Sequence, residues 1–327
     1  MSVDVVYKSS AGNVYNLKAK NQLRIRTANF HKYAWKANAT ARRYGVAINR
    51  WEKDAITYPV TLVLQNSPDV RKFNVEELHA DFERDIITNT PGILAWGDCY
   101  IETFAYSSST HPDDDNVWTD NEVDFYCPYP FWIQERYIQI DPISADEVTD
   151  MEKKYSYQYS YAYGLGRNIP VQALNFYAGS DFKMVAHGPF SNLLVTINGH
   201  VYQVDHSVAE GEYMVIDTRQ KGVLKGQAYV VDANGDITDV FDDRNPFSSL
   251  FEKIQGETVT IQYSRAYQLE LTLYMERSEP VAISQDNYAT KLLADGTTIM
   301  IKLSDGYADL VDSNGNLLAI EGELSNA

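Results

Sequence analysis

Residues 192–206 read NLLVTINGHVYQVDH, in which apolar and polar side chains alternate on both sides of Asn198-Gly199. A period of two is typical of a strand with one buried face, and an Asn-Gly pair favours a tight hairpin turn because both of its positions adopt positive φ. The same alternation recurs at 58–65, 211–217, 258–263 and 267–277. The sequence therefore predicts a mainly β protein built from antiparallel hairpins.

One segment has the period of an α-helix instead. Residues 74–88 carry apolar side chains at spacings of three and four, which places them on one helix face; these are Val75, Leu78, Phe82 and Ile86. Asn74 can cap the first turn, and Glu77 lies three residues later as in a capping box.

Two weaker local signals concern the C-terminal half. Asn234-Gly235 predicts a second hairpin turn of the same kind. A short helical turn is predicted after Asn245-Pro246, ending at Gly256, because proline suits the first helical position and glycine the exit.

The composition is that of a globular protein, with 327 residues of which 44% are hydrophobic and 22% charged. This length suits two domains of roughly 130–170 residues each. The polar, acidic segment 141–153 suggests the boundary between them. We expect an N-terminal domain over 1–145, a C-terminal domain over 146–281, and a hairpin extension over 282–327.

Cysteine content and hydropathy indicate a soluble chain. Cys99 and Cys127 are the only cysteines, too few for a disulfide framework, so we expect buried free thiols. No run of about 18 apolar residues occurs, and residues 1–15 lack an export signal.

No sequence motif points to catalysis. GxSxG, HExxH, Walker and Rossmann patterns are lacking, and the six histidines are scattered. The segment 232–236, DANGD, resembles the start of a calcium loop, but position 12 of that register is Asp243 rather than glutamate. We therefore expect a protein that is not an enzyme and has no cofactor or metal.

Charge is distributed unevenly. The formal net charge of −17 at pH 7 disfavours binding to nucleic acids or anionic membranes. By contrast, residues 18–53 contain ten lysines and arginines and a single acid, Glu52. This basic stretch is either a solvated face or a surface that docks on an acidic neighbour. Its candidate interface residues are Arg24, Arg26, Lys32, Lys36, Arg42 and Arg43.

A second candidate interface is a ladder of tyrosines. Tyr155, Tyr157 and Tyr159 begin a run of five tyrosines that alternate with small or polar residues, which places them on one strand face. Core packing, a subunit interface and a sugar-stacking platform are all compatible with such a ladder.

Three longer stretches carry a family resemblance. They are FYCPYPFWIQE at 125–135, which contains the motif Cys127, Pro128, Tyr129, Pro130, Phe131 and Trp132; SDFKMVAHGPFSNLLVTINGHVYQV at 180–204; and NPFSSLFEKIQGETVTIQY at 245–263, followed by LELTLYMERSEPV at 269–281. In this order and spacing they resemble the distal tail protein (Dit) family of long-tailed bacteriophages.

The resemblance implies a fold with two β-sandwich domains. The N-terminal one would carry a single α-helix and a protruding hairpin, and the C-terminal one would be galectin-like. Residues 282–327 extend past the usual end of the family.

The resemblance also implies a structural role at the phage tail tip. Six copies would form a ring that joins the tail tube protein to the tail-tip hub protein of the tail-associated lysin type and supports receptor-binding proteins. DNA would only pass through the central channel, whose six subunits at −17 each carry −102 formal charges. The location would be the virion tail tip, after assembly in the host cytoplasm. The alternative is a carbohydrate-binding adhesin that contacts the host surface.

Overall fold

Strands make up most of the described chain, and one α-helix interrupts them. The computed structural model describes residues 4–18, 23–65, 75–112, 118–142, 167–173, 176, 178–219, 227–247, 249–256, 258–281, 288–292, 298–304 and 307–311. The first elements in chain order are β1 Val5–Lys8, β2 Val14–Asn16, β3 Leu23–Ala28, β4 Lys36–Ala41, β5 Val46–Glu52, β6 Ile56–Gln65, α1 Val75–Ile87, β7 Gly92–Trp96, β8 Cys99–Pro112, β9 Trp118–Cys127 and β10 Trp132–Ile140. The remaining elements are β11 Arg167–Ala173, β12 Asp181–His187, β13 Leu193–Ile197, β14 His200–Val204, β15 Tyr213–Asp217, β16 Gln227–Val231, β17 Ile237–Asp239, β18 Thr258–Tyr263, β19 Leu269–Arg277, β20 Tyr288–Leu292, β21 Thr298–Ser304 and β22 Tyr307–Val311.

The chain divides into two units. Unit 1 comprises Met1–Gln134 and Glu276–Gln285, and unit 2 comprises Glu135–Met275 and Asp286–Ala327. The predicted domain limits at residues 145 and 281 stay predictions.

Unit 1 contains two antiparallel sheets that share strand β8, together with the separate two-stranded hairpin β4–β5. Residues 99–103 of β8 pair with β7, which continues through β1 to β2. Residues 104–112 of β8 pair with β9, which continues through β6 to β3. A register shift between Ala105 and Ser107 marks the bend where β8 passes from one sheet to the other. The core of unit 1 contains Tyr7, Leu62, Leu94, Phe125 and Trp132.

Helix α1 packs on this core through a face that is partly polar. Leu78 and Phe82 are buried as predicted, but Ile86 is 44% exposed, so its predicted place on the inner face is wrong. Asp85 takes that place, because the residue seven positions after Leu78 returns to the same face, whereas residue 86 is turned about 80° away. The position of Asn74 lies outside the described residues.

The buried acids of α1 are satisfied by hydrogen bonds from β1, β2 and their connection. Asp81 accepts from the Tyr15 hydroxyl at 2.6 Å and the Asn13 amide at 2.8 Å. Asp85 accepts from the Tyr7 hydroxyl and from the backbone N–H of Ser10. Burial raises the pKa of Asp81, but the hydrogen bonds outweigh that effect and lower it below its usual value.

Unit 2 also contains two antiparallel sheets. One has the order β17–β16–β15–β12–β19, and the other has the order β11–β18–β13–β14. Side chains from both sheets share one buried cluster, for example Met184, Ile216 and Leu271 from the first and Val195 and Ile261 from the second. Two sheets packed over a common core form a β-sandwich.

The turn predictions have mixed outcomes. Asn198 and Gly199 have φ of 49° and 85° and join β13 to β14, as predicted. At Asn234-Gly235 only Gly235 has positive φ, because the Asp232 carboxylate accepts from the backbone N–H of Asn234 and Asp236 and shapes a longer turn. The helical turn predicted to end at Gly256 is wrong: the described residues of 246–256 form turns and a bridge from Ile254 to Ser180, and a 3-10 turn lies earlier at Phe241–Asp243.

The C-terminal strands extend unit 2. Strands β21 and β22 pair as an antiparallel hairpin, as the sequence predicts. Strand β20 pairs with β21 and runs parallel to β10, with Ile138 opposite Thr290. The mainly β prediction is confirmed, while the galectin-like character of the C-terminal domain stays a prediction. No helix in the described ranges is long and apolar enough to cross a membrane.

Candidate assembly surface

Strands β4 and β5 form a hairpin that pairs with no other strand in the described part of the chain. We call residues 36–52 the arm. Every residue of β4 is exposed, and β5 is exposed at five of its seven positions. A two-stranded hairpin alone in water is at best marginally stable, so such an arm gains stability by packing on a partner.

The arm has one apolar and one polar face. Opposite residues share a face, and the pairs Ala37 with Trp51, Ala39 with Ile48, and Ala41 with Val46 lie on the same side. Val46, Ile48 and Trp51 are 65%, 50% and 56% exposed. Three large apolar side chains in a row beside small alanines form a patch suited to close contact with another surface.

The opposite face carries the polar side chains and binds them to each other. The Asn49 amide donates to the Thr40 hydroxyl at 2.9 Å, and the Arg50 guanidinium donates to Glu52 at 2.5 Å. These contacts keep the polar groups on one side of the arm and leave the large apolar side chains exposed on the other.

The tip of the arm is strongly basic. The backbone N–H of Arg42 donates to the carbonyl of Gly45 at 3.0 Å, and Gly45 has φ of 77°, a conformation that glycine adopts without steric cost. The Arg43 guanidinium lies 5.4 Å from the ring centroid of Tyr44, which is 83% exposed. Neither Arg42 nor Arg43 forms an ion pair with any of the described residues.

The arm is anchored at its base by an aromatic clamp. Trp35 precedes β4 and packs edge-on against Phe131, with ring centroids 6.0 Å apart. Lys53 follows β5, and its ammonium lies 4.2 Å from the Phe131 centroid and donates to the Pro130 carbonyl at 2.5 Å. Burial lowers the pKa of Lys53 to about 8. Both ends of the arm are thus held by two consecutive residues of one loop.

That loop belongs to the motif over 127–132. The Trp132 side chain is fully buried and donates from Nε1 to the Tyr58 hydroxyl at 3.2 Å, while Cys127 is buried in the same core. Pro128 and Tyr129 are exposed, and the Tyr129 hydroxyl donates to Glu276. The motif therefore connects the core of unit 1 to the base of the arm.

The predicted interface residues are only partly brought together. Lys36, Arg42 and Arg43 lie on the arm. Arg24 and Arg26 lie on β3 in the sheet, where Arg26 pairs with Asp120 at 2.5 Å. Lys32 lies in the loop before the arm, and its carbonyl accepts from the Tyr58 hydroxyl. Tyr155, Tyr157 and Tyr159 lie outside the described residues.

Sequence reasoning missed the apolar face and the clamp. The alternation of Ala37, Ala39 and Ala41, followed by Val46 and Ile48 across a basic turn, is a hairpin signal in the sequence. The contacts of Phe131 with Trp35 and Lys53 leave no such local signal, because these residues are far apart along the chain.

Ser108 and His79 lie close enough to suggest a nucleophile and its base. Their Oγ and Nε2 atoms are 3.1 Å apart. However, the Ser108 hydroxyl donates to the side-chain oxygen Oδ1 of Asn121 at 2.8 Å, and His79 Nε2 accepts from the side-chain Nδ2 of Asn121 at 2.8 Å. Since the hydroxyl hydrogen and the Nε2 lone pair are both used, this arrangement does not activate the serine.

Comparison with solved structures gives the fold a context. The Dit protein of phage SPP1, described as a paradigm of the hub adsorption apparatus in phages that infect Gram-positive bacteria, is similar with a TM-score of 0.53 and 9% identity, over 83% of this chain and 98% of that chain. Chains of the phage P2 baseplate in its activated conformation, with calcium and with strontium, are similar with TM-scores of 0.53 and identities of 10% and 11%, over 86% of this chain and 100% of each of those chains. No protein-family model and no curated protein matches the sequence. The resemblance to Dit proteins that the sequence predicts is confirmed at the level of the fold.

Proposed function

We propose that this protein is a structural component of a phage tail tip that works by self-assembly into a ring. The observation that carries the proposal is the arm, whose apolar face is open to solvent while its base is clamped to the core. A rigidly based hairpin with an uncovered apolar face is suited to a contact between two different surfaces of neighbouring copies. Repeated contacts of this kind close into a ring when the rotation between copies allows it.

The similarity of fold to phage proteins supports a location in the phage tail. The alignment covers almost the whole length of the similar chains, which come from a phage hub and a phage baseplate. By analogy, the ring would contain six copies, join the tail tube protein to the tail-tip hub protein, and support receptor-binding proteins.

Charge is compatible with a central passage for DNA. Six copies at −17 each carry −102 formal charges, and an acidic channel would let DNA pass without adhering. The basic arms would then be used in contacts between subunits rather than in contacts with DNA.

The proposal is tested on the purified full-length chain by negative-stain imaging combined with mass measurement. Sixfold rings with a central hole, of about six times the chain mass of 37.1 kDa, are the expected result. A glycan array distinguishes the adhesin alternative, because saturable sugar binding by a chain that forms no rings would contradict the tail-hub role.

A further inference from the structure

A groove crosses the outer face of the sheet β3–β6–β9–β8. Thr27, Thr61 and Glu122 lie in one row of opposed residues that runs across the strands. The next row contributes Pro59, Asp124 and Ser107, and side chains of both rows line the groove. Register shifts in β3 and in β8 bend these strands beside it. The groove encloses about 490 Å³, within the range of about 300–1,000 Å³ that is typical of ligand sites.

The groove is acidic, with the carboxylates of Glu122 and Asp124 in its lining. Asp120, Glu122 and Asp124 alternate along β9 and therefore lie on one face, with neighbours about 7 Å apart. Arg26 pairs with Asp120 at the end of this row. Among the described residues, neither Glu122 nor Asp124 has an ion-pair partner. Two carboxylates in a concave surface favour a ligand with two positive charges.

We propose that this groove receives the arm tip of a second copy of the chain, with Arg42 and Arg43 placed against Glu122 and Asp124. This inference rests on the proposed ring and identifies the surface that the arm contacts. Arg42 and Arg43 are exposed in their own chain, so they do not fill its groove. Planar guanidinium groups pair with carboxylates through two parallel hydrogen bonds, and the serine and threonine hydroxyls of the groove provide further acceptors.

Arm and groove are different patches on unit 1, which has a consequence for assembly. A contact between two different patches leaves each copy with one free arm and one free groove, so copies continue to add until a ring closes. The charges would position the tip, while the apolar face of the arm would supply most of the buried apolar area.

The experiment uses two full-length variants that each lose one side of the contact. R42E/R43E removes the basic tip and keeps the groove, and E122R/D124R removes the acidic groove and keeps the tip. We expect each variant alone to associate at least about tenfold more weakly than wild type at low salt. We expect an equimolar mixture to recover assembly, because the basic tip of one variant meets the acidic groove of the other and the acidic tip meets the basic groove, so every contact pairs opposite charges.

Cross-linking tests the contact directly. A full-length R43C chain is mixed with a D124C chain and treated with a bismaleimide, since the native Cys99 and Cys127 are buried. A covalent dimer is expected, and its yield should fall as salt rises. Glu210 is an exposed acid of unit 2, so E210C in place of D124C is the matched control and should not cross-link.

The outcomes separate this inference from the proposed ring. If wild type forms rings and E122R/D124R forms them equally well, the groove is not the contact and only this inference fails. If wild type forms no ring but the R43C and D124C chains still cross-link, the groove is supported and the closed ring is not. If wild type forms rings but the R43C and D124C chains do not cross-link, the groove is not the contact and this inference is overturned. Circular-dichroism melting curves confirm that all variants are folded, and E83R/E210R, which makes the same change in charge elsewhere, should assemble as wild type does.

Discussion

Replacing Ile48 by aspartate should weaken assembly strongly while leaving the subunit folded. Ile48 lies in the middle of the apolar face of the arm and is 50% exposed. Full burial of an isoleucine contributes about 1.5–3 kcal/mol, so covering the exposed half contributes about 1 kcal/mol at each contact. An aspartate that must be desolvated without a partner adds about 1–3 kcal/mol of cost. The sum, about 2–4 kcal/mol, corresponds to a 30- to 900-fold weaker contact.

The stability of the isolated subunit should hardly change in I48D. Substitutions at exposed strand positions alter the free energy of unfolding by less than about 1 kcal/mol. Sedimentation velocity over a concentration series measures the association, and thermal unfolding followed by circular dichroism measures the stability of the subunit.

Ile237 offers a matched control. It lies on β17 at the edge of a sheet in unit 2 and is 70% exposed. I237D makes the same chemical change outside the arm and should assemble as wild type does. If I48D assembles like wild type, or if I48D and I237D weaken assembly equally, the apolar face of the arm is not the contact surface.

Three further changes test the parts of the fold that hold this surface. D81N should lower the free energy of unfolding by about 1–3 kcal/mol at pH 7, because the buried Tyr15 hydroxyl loses a charged acceptor. Folding lowers the pKa of Asp81 below its ordinary value of 3.8. The difference in unfolding free energy between wild type and D81N, measured with urea, should therefore narrow as the pH falls below 3.8. F131A should raise the pKa of Lys53 from about 8, because the ammonium becomes hydrated. The pH dependence of amine labelling at Lys53, read by mass spectrometry, measures this pKa. An unchanged pH dependence in F131A would contradict the clamp. N198A should destabilise unit 2 by about 2–4 kcal/mol in thermal unfolding, because alanine disfavours positive φ and loses the side-chain bonds to the 255–260 segment, whereas N198G, which keeps the turn conformation, should cost less.

These predictions distinguish the residues that orient the arm from the residues that make its contact. The clamp of Trp35, Lys53 and Phe131 orients the base, and the apolar face with its basic tip makes the contact. Weakening the clamp should reduce association less than I48D does, because the contact surface itself stays intact. The same order of effects is expected whether the neighbour is a second copy of this chain or a different protein.

Several local features follow from the sequence alone, although the turn at Asn234-Gly235 and the helical turn predicted before Gly256 do not. Alternating side chains and Asn198-Gly199 specify a hairpin because strand period and turn conformation depend on neighbouring residues alone. The spacing of Leu78 and Phe82 specifies a helix for the same reason. The three collinear stretches at 125–135, 180–204 and 245–281 indicated a Dit-type fold, and the comparison with solved structures confirmed it.

Which of these faces are covered depends on how the elements pack against each other. Ile48 lies on the apolar face of its strand, as a core residue does, yet it is 50% exposed. Asp85 is buried rather than Ile86, because Tyr7 and the backbone of Ser10 lie where they can donate to its carboxylate. Burial depends on contacts between residues far apart along the chain, and a local pattern specifies the two sides of a strand or helix without specifying what lies against either one.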